Sequence, residues 1–135
     1  MAKITTFLMF SGEKHGKAEE AISFYVAQFE NSRIDSIKRY GPNDREPEGT
    51  VMIATFTLNG QQFMAMDSAA PHQFNFTPSM SLFVDCGTEE EIGRLFGALS
   101  EFGQVLMPLD NYGFSRRFGW TNDRFGVSWQ INLPA

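Results

Sequence analysis

Few side chains in this sequence have the type and spacing to do chemistry. His72 stands beside Pro71 among small residues, with Asp67 five positions earlier. An imidazole titrates near neutral pH, so the pair could supply a general base or a substrate contact. No nucleophile is placed to complete a catalytic arrangement, and a solvent-facing loop histidine is the plainer reading. His15 lies in a polar turn and carries less. Cys86 ends an apolar run just before a helix start, where a thiol pKa can be lowered; a lone cysteine there is more often a small buried hydrophobe. Arg116 and Arg117 adjoin, and strand alternation would put Arg116 on one face with Phe114, Phe118 and Trp120. An arginine among rings could hold a carboxylate, a phosphate or a flat anion. It could equally be an edge-strand charge that discourages aggregation. Tyr112 and Trp120 offer rings with a polar handle, suited to stacking a ligand or to packing. There is no glycine-rich phosphate loop, no C-x-x-C pair, no histidine pair at i, i+4 and no G-x-S-x-G elbow.

The composition narrows the partners. Sixteen acidic residues against eleven Lys and Arg give a net charge of -5, which argues against broad nucleic-acid binding because that depends on neutralising phosphates. One cysteine excludes an intrachain disulfide and suits a reducing compartment. No apolar run approaches the roughly 18 residues of a membrane helix, and the N-terminal residues carry no signal-peptide core. A cytoplasmic protein without a membrane partner is expected. Hydrophobic residues at 42% and charged residues at 20% describe a folded chain, and the 135 residues suit one domain. Fourteen Phe and seven Met make a soft aromatic interior, fit for irregular packing or for an adaptable apolar pocket.

The elements that must position these residues follow from periodicity. Residues 4–10 read as a strand. Ala18, Ala21, Ile22, Tyr25, Val26 and Phe29 form one helical stripe. Strands are predicted over 33–40, 51–58 and 61–66, the last two joined by Asn59-Gly60, a strong hairpin signal. Residues 67–78, with two prolines, read as a linker. The order then restarts: a strand over 79–84, a helix opened by Thr88 with Glu91 three residues on, and a stripe of Ile92, Leu95, Phe96, Leu99 and Phe102 stopped by Gly103. Strands over 104–109, 114–120 and 127–133 complete it. Tyr40-Gly41 is echoed by Tyr112-Gly113, and Gly60-Gln-Gln-Phe-Met by Gly126-Val-Ser-Trp-Gln. The prediction is an α+β domain of two βαβββ modules, about 1–68 and 78–135, with a linker of about 69–77.

Residues spread over nearly the whole chain carry a family look. Phe7-Leu-Met-Phe, Ala18-Glu-Glu-Ala-Ile-Ser-Phe-Tyr, Arg39-Tyr-Gly-Pro, Asn59-Gly-Gln-Gln-Phe-Met-Ala-Met-Asp and Asp123-Arg-Phe-Gly-Val-Ser-Trp-Gln together resemble the PhnB-like group of the glyoxalase/bleomycin-resistance/dioxygenase (vicinal oxygen chelate) superfamily. That group also carries a 3-demethylubiquinone 3-methyltransferase label, yet the sequence has no glycine-rich strand-to-helix loop for a methyl-donor nucleotide. The resemblance implies two curved sheets forming a cleft for a small molecule, a homodimer, and in many members a divalent metal held by His, Gln or Glu from the first and last strands of each half.

Set against that pattern, alternation on the last strand puts Val127, Trp129 and Ile131 under the helices and Ser128, Gln130 and Asn132 toward the cleft. Gln130 then falls where metal-binding relatives carry a glutamate. Met64 is its counterpart in the first half, and Thr5 and Ser79 or Ser81 stand at the opening strands. Imidazole, carboxylate or thiolate ligands are what a divalent cation needs, and this set offers none. The expectation is therefore no metal at these positions and no cofactor, with a divalent metal as the lesser alternative. The expected function is small-molecule binding, with Thr5, Met64, Ser79, Ser81, Arg116, Trp120 and Gln130 toward the ligand. The alternatives are a metal-dependent or acid/base enzyme using Asp67, His72 or Gln130, and a dimeric domain whose apolar surfaces serve association.

Overall fold

Eight strands and two helices follow in the order β1 (Thr6–Phe10), α1 (Ala18–Gln28), β2 (Arg33–Arg39), β3 (Val51–Leu58), β4 (Gln61–Asp67), β5 (Ser81–Asp85), α2 (Glu89–Ser100), β6 (Gln104–Asp110), β7 (Arg117–Asn122) and β8 (Ser128–Leu133). The computed structural model describes all 135 residues. They divide into two compact units, Met1–Asn75 and Phe76–Ala135. Residues 69–75 thus belong with the first unit. No helix is long and apolar enough to cross a membrane.

Each unit repeats one topology. The sheet orders are β1-β4-β3-β2 and β5-β8-β7-β6, and in each the first strand runs parallel to the last while the other pairs are antiparallel. A parallel pair needs a crossover, which the helix supplies. The echo read between Gly60 and Gly126 is structural: both have positive φ, 85° and 92°. In each unit the hairpin sets Met64 against Thr55 and Gln130 against Trp120 in the same place.

The helices bury one stripe each. Ala18, Ala21, Ile22 and Tyr25 of α1 and Ile92, Leu95, Phe96 and Leu99 of α2 are buried over Phe56, Phe63 and Ala65 in one unit and Trp129 and Ile131 in the other. Fully burying an Ile, Leu or Phe side chain among these contributes about 1.5–3 kcal/mol. Thr88 caps α2 by accepting the Glu91 N–H at 3.1 Å, as the motif predicts. The Glu91 carboxylate closes the other half of the box one residue early, on the Gly87 N–H at 2.7 Å.

Four expectations are corrected. Strand β1 begins at Thr6, leaving Ile4 exposed, since the ladder with β4 starts at Thr6–Phe63. Strand β5 begins at Ser81, so Ser79 stands in the turn before it. Phe102 does not extend the α2 stripe: the helix stops at Ser100, Phe102 takes φ 61° and is exposed, and the Arg124 guanidinium lies 5.2 Å from its ring centre. The chain must turn there because Gly103 passes so close to β7 that a Cβ would sit 2.1 Å from the Asn122 carbonyl oxygen. Strand β7 covers 117–122 and not 114–120. Its partner β8 ends at Leu133, before Pro134, which has no N–H to extend a ladder.

Candidate functional site

The expected catalytic pair separates into two unlike environments within the first unit. Asp67 ends β4, is only 1% exposed, and accepts the Gly16 N–H at 2.9 Å, the Ala18 N–H at 3.0 Å and the Val51 N–H at 2.9 Å. Helix α1 has no side-chain cap of its own, since Lys17 stands at its N-cap. Asp67 serves as that cap from across the fold, where a carboxylate also suits the helix dipole. Both its oxygens are thereby committed to backbone. His72 is exposed, stacks near Phe74 with ring centres 4.9 Å apart, and meets the Ser68 hydroxyl at 3.0 Å through Nε2. That is the distance of a nucleophile–base pair. Ser68 Oγ also accepts the Ala70 N–H at 3.3 Å, and the Ala69 N–H is taken by Glu46 at 2.7 Å. The two adjacent backbone donors that could stabilise an oxyanion are therefore occupied. His15 Nε2 lies 3.8 Å from Glu46.

The helix-free face of the first sheet is lined by Phe7, Met64, Thr55 and Ser36, which follow one another across β1, β4, β3 and β2. Met9 and Met66 pair beside them. Thr5 lies just outside the strand. The polar groups here are satisfied: Ser36 and Thr55 bond at 2.7 Å, and Thr57 donates to Asp35 at 2.7 Å. That bond, more than the Arg33 guanidinium 2.8 Å away, holds the Asp35 carboxyl below its usual range.

The corresponding face of the second sheet is a grid of nine residues over β5, β8 and β7. Ser81, Ser128 and Asn122 form one row. Phe83, Gln130 and Trp120 form the next, and Asp85, Asn132 and Phe118 the third. In the first row the Trp120 indole donates to Ser128 Oγ at 2.8 Å, and Ser128 and Ser81 share a bond of 2.7 Å. Gln130 is half-buried between Phe83 and Trp120. In the third row Asn132 donates through Nδ2 to Asp85 Oδ1 at 2.9 Å. A carboxylate only accepts, so this contact fixes the amide orientation and turns Oδ1 away from Asp85. Asn132 Oδ1 and Asn122 Oδ1 are both buried with no hydrogen-bond partner. An orphaned buried acceptor costs about 1–3 kcal/mol.

Rings crowd the Phe118 end of this face. Phe118 is buried beneath Phe83, Tyr112 and Phe114, with ring centres 6.3, 6.2 and 5.1 Å away. Phe83 and Phe114 remain 56% and 61% exposed. The Tyr112 loop is pinned: its hydroxyl donates to the Pro108 carbonyl at 2.6 Å, and Asn111 Oδ1 accepts the Gly113 N–H at 2.8 Å. Arg116 precedes β7 with an exposed side chain that makes no ion pair, whereas Arg117 lies 3.4 Å from Glu89 at the start of α2. Cys86 is buried, and burial, with Glu91 adding to it, pushes its thiol up to about 11. The proximity of a helix start does not activate it.

Neither Met64 nor Gln130 carries the imidazole, carboxylate or thiolate that a divalent cation needs. The residue directly beside Met64 on the first strand is Phe7, and the one beside Gln130 is Phe83. No three His, Cys, Asp or Glu side chains gather anywhere at metal-binding spacing. Sequence reasoning found Gln130, Ser81 and Trp120 on this face. It missed Phe83 and Asn122, and it placed Asn132 on the cleft side without a role. Alternation on β5 carried the signal for Phe83, but the apolar run conceals which face is wet.

A family model described as 3-demethylubiquinone-9 3-methyltransferase matches residues 2–132. A PhnB protein from Bacillus cereus with that same description is 57% identical over 98% of this chain and 99% of its own, with a TM-score of 0.92. Protein PA1353 from Pseudomonas aeruginosa is 28% identical over 99% of this chain and 98% of its own, with a TM-score of 0.82. A glyoxylase/bleomycin resistance protein/dioxygenase domain from Frankia sp. EAN1pec shares the fold at 10% identity and a TM-score of 0.65, over 100% of this chain and 99% of its own.

Proposed function

The chain belongs to the PhnB-like family whose model carries the 3-demethylubiquinone-9 3-methyltransferase description, and on that footing we propose that it is a small-molecule-binding protein whose second sheet offers the binding face, without a metal at the usual positions. The observation that carries this reading is the pair of buried, unpartnered amide oxygens of Asn122 and Asn132 on a face that also bears the half-buried Gln130 and exposed rings. Few polar groups among apolar rings is the composition of a ligand site. Trp120 and Ser81 are held in place there by their own bonds, and Arg116 stands at its rim.

Thermal shift on the full chain tests it, with panels of planar organic molecules, divalent metals and S-adenosylmethionine. At 100 times its dissociation constant a native-state ligand stabilises by about 2.7 kcal/mol. Planar organic ligands are expected to raise Tm, with the shift lost in Phe83→Ala. Stoichiometric stabilisation by a metal, or by the methyl donor, contradicts the proposal. The acid/base alternative rests on the His72–Ser68 contact. It predicts hydrolysis of activated esters that disappears in His72→Ala. A homodimer belongs to the same proposal and is read by light scattering.

A further inference from the structure

Charge and hydrogen-bonding sense specify the ligand further. At the Phe118 end of the second sheet's face, the unmet polar requirement is for a donor: Asn132 Oδ1 is buried without one, and its orientation is fixed by Asp85. The Asp85 carboxylate is itself exposed and stands in the same row. Asp110, also exposed, lies in register with Phe118 on the other side. The rings of Phe83, Tyr112, Phe114 and Phe118 cluster with one another, and Phe118 is in register with Asn132. Ring faces carry negative quadrupole density and attract cations. Against these stands Arg116, exposed and outside the strand. An anion, which only accepts, would leave the Asn132 oxygen unpaired and would gain nothing from the carboxylates of Asp85 and Asp110.

We infer that this face takes a protonated amine carried on a flat ring system, with the ring among the phenylalanines, an N–H directed to Asn132 Oδ1 and the positive charge beside Asp85. The inference rests on the reading of the second sheet as a binding face. It also replaces the anion that the Arg116 sequence pattern suggests. Phe83 and Phe114 are both more than half exposed, so a flat ring can reach them from solvent. Tyr112, tied to Pro108, stays as the fixed wall.

Three acridines of one shape test this at pH 8 on the full chain, followed by ligand fluorescence: 9-aminoacridine as the cation with N–H donors, acridine as the neutral ring, and acridine-9-carboxylate as the anion. The expected order is cation, neutral, anion, with the cation about tenfold tighter than the neutral ring. Asp85→Asn should remove most of that preference and leave acridine binding unchanged. Asn132→Leu, isosteric and free of the orphaned oxygen, should weaken 9-aminoacridine about fivefold or more while the protein stays folded. Phe83→Ala should weaken all three alike. If the carboxylate binds as tightly as the amine, or Asp85→Asn leaves the preference intact, the amine assignment fails and the binding face survives. If none of the three binds at about 1 mM, or Phe83→Ala changes nothing, the binding-face reading fails and the assignment with it.

Discussion

The two units share a topology and differ in what that topology is used for. In each, one buried carboxylate organises backbone. Asp67 in the first unit collects three N–H donors from the α1 start and β3. Asp123 in the second, 3% exposed, accepts Phe125 N at 2.8 Å, Val127 N at 3.1 Å and the Trp129 indole at 2.8 Å. The first ties a helix start to the end of a sheet. The second ties a hairpin to its own core tryptophan. The helix-free faces diverge more. The first carries Phe7, methionines and threonines, with Ser36 bonded to Thr55 and Thr57 to Asp35, while the second carries more rings and two amide oxygens that bond to nothing in the chain. Of the two matched sheets, only the second leaves buried amide oxygens unpaired at a cost, and the proposed binding face rests on that difference.

The largest effect that could break the comparison lies in the carboxylates. Asp67→Ala and Asp123→Ala should each destabilise by about 3 kcal/mol or more, since each strands several buried donors. Urea unfolding reads this, and a loss under about 1 kcal/mol for either would end the claim that both organise their units.

Cys86 sharpens it next, because the only thiol reports on the second unit alone. Its folded value of about 11 lies above its ordinary 9.0. The neutral thiol therefore contributes stability that is intact below pH 9 and lost as pH rises through about 11. Native protein at pH 8 should react with a thiol reagent about 100-fold or more slower than unfolded protein, from the thiolate fraction alone. Equal rates would mean that this strand end opens freely.

Packing between helix and sheet gives a smaller contrast. Register makes Gly119 of β7 the counterpart of Ala54 of β3. A Cβ at Gly119 would come 2.4 Å from the Phe96 ring, so Gly119→Ala should cost about 1–3 kcal/mol and Phe96→Leu should restore part of it. Additive losses in that double-mutant cycle would show that the ring does not set the glycine. The smallest effect is a gain. Gly97 sits on the open side of α2 with nothing near its Cβ direction, and Gly97→Ala should add about 0.5–1 kcal/mol in the same urea titration.

Much of the fold was legible. The 3.6 period of Ala18, Ala21, Ile22 and Tyr25, the Asn59-Gly60 turn and the Thr88 cap are local signals, and the structure carries all three. Phe102 and the start of β7 were not legible, because each is decided by a distant neighbour: the Asn122 carbonyl against Gly103, and the end of β8 at Leu133. For the site, alternation brought Gln130, Asn132 and Ser128 to one face. It could not reveal that Asp67 caps a helix 49 residues away in sequence, nor that Asn132 would spend its donor on Asp85 and keep its acceptor free.

Two indole N–H signals make the central claim directly measurable. Trp120 donates to Ser128 on the helix-free face, whereas Trp129 is buried and donates to Asp123. In a two-dimensional amide NMR titration with 9-aminoacridine, the Trp120 indole signal should shift progressively with the backbone signals of Phe83, Gln130 and Asn132, while the Trp129 indole stays in place. A saturable shift confined to the first unit, with Trp120 unmoved, would contradict the account.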